Sequence, residues 1–155
     1  MLDEQVAAVL INHVDYRSGI IRDMENLTRQ VQEFGGLTVW DLSHSAGIFP
    51  LQLNRCRVDF AVGCTYKYLN GGPGAPAFVY VAPRLAQSVR PALSGWLGHE
   101  APFAFDLDYR PGSGIERMRV GTPPVIQMTA LAAAMDIWDM ADMADFRAKS
   151  IELTE

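Results

Sequence analysis

Cysteine is scarce in this sequence: only Cys56 and Cys64 occur among 155 residues. Their spacing matches neither a zinc pattern nor a disulfide framework, so reduced thiols in core positions are expected. No apolar run approaches the roughly 18–20 residues that a membrane span needs. The start, Met1-Leu2-Asp3-Glu4-Gln5, has neither the basic segment nor the cleavage site of a secretory signal. A cytoplasmic protein without membrane contact is therefore expected. Basic charge is also in short supply, with 13 Lys and Arg against 18 Asp and Glu and a net charge of -5. No basic face interleaved with aromatics appears, so nucleic acid is not an expected partner. Internal repeats and low-complexity segments are absent as well.

What is present describes a globular chain. The hydrophobic fraction is 49% and the charged fraction 20%, enough apolar residue to build a core. The length allows one domain or part of one. Residues 6–12 are a continuous apolar run ending on Asn12, the pattern of a buried parallel strand. Asp23 is placed to cap a helix that runs to about Phe34, with Met24, Leu27, Val31 and Phe34 on one face. Gly35-Gly36 ends it, and a strand over 37–41 follows. Strand, helix, strand in that order predicts a right-handed parallel crossover. Further strands are expected over 58–64 and 77–81, the last two antiparallel because a short loop joins them. Residues 83–90 read as a short helix broken by Pro91. Residues 95–114, rich in Gly, Pro and aromatics, read as a long functional loop. A short strand over 115–120, a helix from Pro123 or Pro124 to about Met140, and a last helix from Met143 complete the expectation. The fold class is α/β, a mostly parallel sheet with flanking helices.

Two strand ends carry the chemistry. The run Val58-Asp59-Phe60-Ala61-Val62-Gly63-Cys64 leads into Thr65-Tyr66-Lys67-Tyr68-Leu69-Asn70 and a Gly/Pro turn. Lysine is rarely buried without a partner. Burial makes its amine a better nucleophile, which suits a residue that binds a carbonyl group covalently. The run Leu37-Thr38-Val39-Trp40-Asp41 ends on an acid. The carboxyl ends of parallel strands are where open α/β sheets place their ligands. Pyridoxal phosphate enzymes use such a pair, a lysine that carries the cofactor and an acid that keeps its pyridine nitrogen protonated.

The residues themselves resemble a family. Trp-Asp-Leu-Ser-His-Ser-Ala-Gly at 40–47 and Thr-Tyr-Lys-Tyr-Leu-Asn-Gly-Gly-Pro-Gly at 65–74 resemble kynureninase. So do Leu-Ser-Gly-Trp-Leu-Gly-His at 93–99 and Arg-Val-Gly-Thr-Pro-Pro at 119–124. That family is a fold-type-I pyridoxal phosphate hydrolase related to class V aminotransferases and cysteine desulfurases. The resemblance implies pyridoxal 5'-phosphate as cofactor, carried by Lys67 with Asp41 on the ring nitrogen. It implies that His44 sits beside the cofactor and that Tyr66 binds its phosphate and relays protons. It implies that Trp96 and Thr122 help hold the phosphate, across the interface of a homodimer. Asn12 aligns with a small polar residue near the cofactor, and asparagine is a departure there. Gly71, Gly72 and Gly74 would give backbone room, while Tyr68 and His13 read as packing. His99 belongs to the resembling run without an evident role.

The implied reaction is hydrolysis of L-kynurenine or 3-hydroxykynurenine to anthranilate or 3-hydroxyanthranilate and L-alanine. The chain would be a partial large domain. The family's amino-terminal phosphate loop and carboxyl-terminal small domain find no match in it, and both ends read as cuts through a larger protein. A class V cysteine desulfurase or aminotransferase is the alternative enzyme, although Cys64 is poorly placed to be a mobile catalytic thiol. An inactive fragment acting only by association is the alternative outside enzymology.

Overall fold

The computed structural model describes residues 3–155. The reading of residues 1–2 as part of an acidic start lies outside the described residues. The chain forms two compact units, Met1–Tyr80 with Pro124–Glu155, and Val81–Pro123.

The first unit holds the sheet. Strands β1 (Ala8–Asn12), β2 (Leu37–Asp41), β3 (Phe60–Cys64) and β4 (Ala77–Val81) lie in the order β1-β2-β3-β4. β1 pairs with β2, and β2 with β3, both in parallel. Their register puts Asn12 beside Asp41 and Asp41 beside Val62. Helix α1 (Met24–Glu33) makes the β1–β2 crossover. Asp23 caps it as expected, with Oδ1 accepting from Asn26 N at 3.0 Å. The helix buries Met24, Thr28 and Val31, whereas Phe34 lies past its end and is exposed.

Side chains alternate across the sheet because strand residues point to opposite faces. One face carries Thr38, Trp40, Ala61 and Gly63, all buried. Trp40 is the largest fully buried side chain, and its indole N–H donates to Thr28 Oγ1 at 3.0 Å. Met24, Leu42, Val58 and Ala61 complete the core with it. Asp59 is buried under the same face, where its Oδ2 accepts from Thr38 N and Thr38 Oγ1, both at 2.9 Å. The opposite face is open: Leu10 is 70% exposed, and Leu37 and Val62 are also exposed. That corrects the expectation of a fully buried first strand. β1 starts at Ala8 and lies at the sheet edge with one face in solvent.

Helix α2 (Val125–Met135) follows Pro124, then a 3-10 turn (Asp136–Met140) and helix α3 (Met143–Glu152). The expected single helix to Met140 is thus interrupted. Neither α2 nor α3 buries any residue, although α2 is strongly apolar. No helix among the described residues is long and apolar enough to cross a membrane.

The second unit is mostly loop. Residues 83–90 form successive turns rather than a helix, and 115–120 are no strand: Gly114–Met118 is a 3-10 turn. The reason is Arg117. Its guanidinium is buried and donates to the carbonyls of Gly112, Gln87 and Val89 at 3.1, 2.6 and 3.2 Å. Wrapping loop carbonyls around a buried cation satisfies it without a carboxylate, and extended pairing gives way to that geometry.

Candidate active site

The carboxyl ends of β2 and β3 set the site. At the end of β2, Asp41 is half-buried and its Oδ1 accepts from Ser43 N at 2.8 Å, forming an Asx turn. Its Oδ2 has no hydrogen-bond partner among the described residues. The chain continues along β3, with Leu42 N donating to Val62 O at 2.8 Å. It then turns through residues 43–48. Gly47 is required in that turn. Its φ is +88°, and a Cβ there would lie 2.6 Å from Tyr68 O. The turn therefore presses directly on the lysine loop, and Cys64 Sγ reaches Ser43 O at 3.8 Å.

Lys67 heads its own turn after β3. Asn70 N donates to Lys67 O at 3.0 Å and Gly71 N to Thr65 O at 2.9 Å. Gly72 and Gly74 then take φ angles of +76° and +82°, which reverse the chain. This packing brings Lys67 Nζ to 3.0 Å from His44 Nε2. An ammonium has three N–H donors and no acceptor, so Nε2 accepts and the ring proton is assigned to Nδ1. No carboxylate among the described residues forms an ion pair with Lys67. Its amine also lies 5.5 Å from the centre of the Tyr66 ring.

The rest of the expected set divides in two. Asn12 shares the open sheet face with Asp41 and is its register neighbour. Its Oδ1 is held by Arg22 Nε at 3.1 Å. Tyr66 is about half exposed. Trp96 and Thr122 belong to the other unit. There the backbone brings their segments together, with Leu97 N donating to Val120 O at 3.3 Å. Trp96 and Thr122 are both exposed.

Two side chains receive roles that spacing did not give. Tyr68, read as packing, meets the His44 ring edge-on at 6.5 Å. Tyr16, not singled out by any pattern, lies against the same ring at 6.0 Å and 23°. Only its place in a Gly-containing turn after a strand end pointed toward a ligand edge. His13 is packing, as expected, between the edges of Trp40 and Phe49. Burial holds its imidazole below the ordinary value, and its Nδ1 has no partner among the described residues. His99 is tied locally through both ring nitrogens, to Ala101 N and Asp108 O. Among the described residues no group of three or more His, Cys, Asp and Glu is placed to hold a metal ion.

Known proteins share this arrangement of sequence and fold. The aminotransferase class-V family matches residues 1–155. A kynureninase from Burkholderia mallei is 47% identical over 154 residues, covering 99% of this chain and 37% of that protein. One from Pseudomonas fluorescens is 45% identical with the same coverage. The chain thus spans about 37% of the length of the curated relatives it matches. A cysteine desulfurase from Escherichia coli has the same fold at a TM-score of 0.76, with 20% identity over 96% of this chain and 36% of its own.

Proposed function

The chain belongs to the aminotransferase class-V family, and we propose on that premise that it is the lysine-bearing part of a kynureninase. The activity is hydrolysis of L-kynurenine or 3-hydroxykynurenine to anthranilate or 3-hydroxyanthranilate and L-alanine. On this reading it acts in tryptophan catabolism and NAD biosynthesis, as a cytoplasmic homodimer. Residues 1–155 are a partial cofactor-binding large domain. The phosphate loop and small domain of the complete enzyme belong to sequence outside these residues.

One observation carries the reading: Lys67 Nζ meets His44 Nε2 at 3.0 Å, in the loop that follows the acid at the end of β2. This donor set fits pyridoxal 5'-phosphate. It offers a half-buried amine without an ion-pair partner and a carboxylate with one oxygen uncommitted. When bound, the cofactor supplies an electron sink for a carbanion on the substrate. Lys67 must lose a proton before its nitrogen can attack a carbonyl, and His44 Nε2 is in hydrogen-bond reach to receive it. Asp41 Oδ2 would accept a hydrogen bond from the protonated ring nitrogen, with Oδ1 fixed by Ser43 N. Tyr66, about half exposed, would offer its hydroxyl to the phosphate and to proton relay beside Lys67. Asn12 borders Asp41 on the open face. By the family resemblance, Trp96 and Thr122 would help hold the phosphate at the interface of a homodimer.

A second reading is favoured by the exposed face that carries Asn12 and Asp41. Parallel sheets are normally covered on both faces. With that face in water, the isolated chain is a weak catalyst and acts through association with further polypeptide. A desulfurase is less well supported, because Cys64 is half-buried with its thiol turned to Ser43 O.

Trapping tests the proposal. The chain is incubated with pyridoxal phosphate, reduced with borohydride, digested and mapped by tandem mass spectrometry. A single pyridoxyl adduct at Lys67, reduced in Asp41→Ala, is expected. An adduct at Lys149, the only other lysine of the chain, or at the terminal amine in yield equal to that at Lys67 would overturn the claim of a working site in these residues.

A further inference from the structure

Tyr16 has no role in the reading above, yet the structure builds a support for it. Residues 13–22 form a small hairpin after β1. Val14 bridges Ile21 in antiparallel fashion. Asp15 N donates to Ile20 O at 3.0 Å and Arg22 N to His13 O at 2.9 Å. The tip is fixed by Asp15, whose Oδ1 accepts from Arg17 N at 2.8 Å and Ser18 N at 3.1 Å. Those N–H groups hold its carboxyl below the usual range. The base is tied to the site strands by Arg22 on Asn12 at 3.1 Å and by His13 N on Asp41 O at 3.0 Å.

An exposed tyrosine on a turn ordinarily samples several rotamers. Tyr16 is 75% exposed, yet its ring lies nearly parallel to the His44 imidazole, 6.0 Å away at 23°. Tyr68 meets the same imidazole at 6.5 Å and 64°. The imidazole is thus flanked by two tyrosines from separate loops while its Nε2 faces Lys67 Nζ at 3.0 Å. The terminal torsion of histidine is broad. A ring without flanking contacts would turn Nε2 away from the amine.

We propose that Tyr16 is a positioning residue whose ring holds the His44 imidazole with Nε2 toward Lys67. The contact needs the aromatic face and not the hydroxyl. It also selects a tautomer. With Nε2 accepting from the Lys67 ammonium, the proton sits on Nδ1, whereas a free imidazole favours the proton on Nε2. The functional meaning rests on the reading of Lys67 given above, but the test does not. The tautomer is read without cofactor, so failed trapping at Lys67 beside an intact tautomer would count against that reading alone.

The experiment is a long-range proton–nitrogen correlation spectrum of the nitrogen-15-labelled chain at alkaline pH, where the imidazole is neutral. Wild type and Tyr16→Phe should show His44 as the Nδ1–H form. Tyr16→Ala should move the tautomer ratio about fivefold toward Nε2–H, the scale of one lost aromatic contact. Tyr16→Leu keeps apolar bulk on the hairpin without a π face, and should shift the ratio in the same direction in a folded chain. An unchanged ratio in Tyr16→Leu, or a shift in Tyr16→Phe as large as in Tyr16→Ala, would overturn the proposal.

Discussion

Asp59 offers the sharpest test of how this fold is held. It is 2% exposed. Its Oδ2 accepts from Thr38 N and Thr38 Oγ1 at 2.9 Å, and from Gln32 Nε2 at 3.0 Å. One carboxylate therefore ties α1, β2 and β3 together at the start of β2. Asp59→Ala removes the acceptor from all three donors. Gln32 recovers water, and the Thr38 hydroxyl can rotate. The Thr38 N–H is buried on a strand and can do neither, which costs about 1–3 kcal/mol for that group. With the lost charge-assisted bonds the total is about 3–4 kcal/mol. Asp59→Asn keeps an oxygen but loses the charge, for about 1–2 kcal/mol. Thr38→Val loses two side-chain bonds, the hydroxyl's donation to Asp59 Oδ2 and its acceptance from Asp59 N at 3.3 Å, for about 1–2 kcal/mol. Urea unfolding followed by tryptophan fluorescence reads the differences. At a slope of about 2 kcal/mol/M, Asp59→Ala should lower the midpoint by about 1.5–2 M. A midpoint within about 0.3 M of wild type at unchanged slope would refute the reasoning. So would Thr38→Val costing more than Asp59→Ala.

Other outcomes follow from single observations. Burial lowers the proton affinity of His13, so the folded state binds fewer protons there than the unfolded state does. Stability should be full above about pH 6.5, the ordinary histidine value. It should fall as pH drops below that until the lower folded-state value is passed. His13→Phe should remove this component from a plot of urea midpoint against pH, and an unchanged slope would count against it. Gly47→Ala meets both a φ of +88° and the Tyr68 carbonyl at 2.6 Å. It should cost about 2–3 kcal/mol and reduce adduct formation at Lys67, since the turn bearing His44 must shift. Arg117→Met leaves the carbonyls of Gly112, Gln87 and Val89 without their buried donor. Hydrogen exchange across residues 85–119 should accelerate by about 10- to 100-fold, or about 1.5–3 kcal/mol, with α1 exchange unchanged.

Sequence reading located the strands of the sheet and their ends because those signals are local. Short continuous apolar runs, a capping aspartate and paired glycines act over a few residues. Asp41 and Lys67 were legible for that reason, and the motifs around them pointed to the family. The reading failed where a distant group outweighed local preference. Residues 115–120 have strand-like character, yet Arg117 draws the backbone into a 3-10 turn around its own donors. The run over 6–12 is apolar enough to be buried, yet an edge strand buries only the face that meets a partner.

The sequence by itself determined an α/β chain with an acid and a lysine at successive strand ends, and the class of chemistry that such a pair serves. Tertiary structure alone decided which side chains stand around the lysine. His44 meets Lys67 because Gly47 lets its turn lie on the Tyr68 backbone. Tyr16 reaches the same imidazole from a hairpin on another strand. Asp59 sits under β2 because α1 and Thr38 supply its donors. Each of these contacts joins residues 21 or more positions apart, a separation that only the closing of the sheet and its crossover helix can bridge.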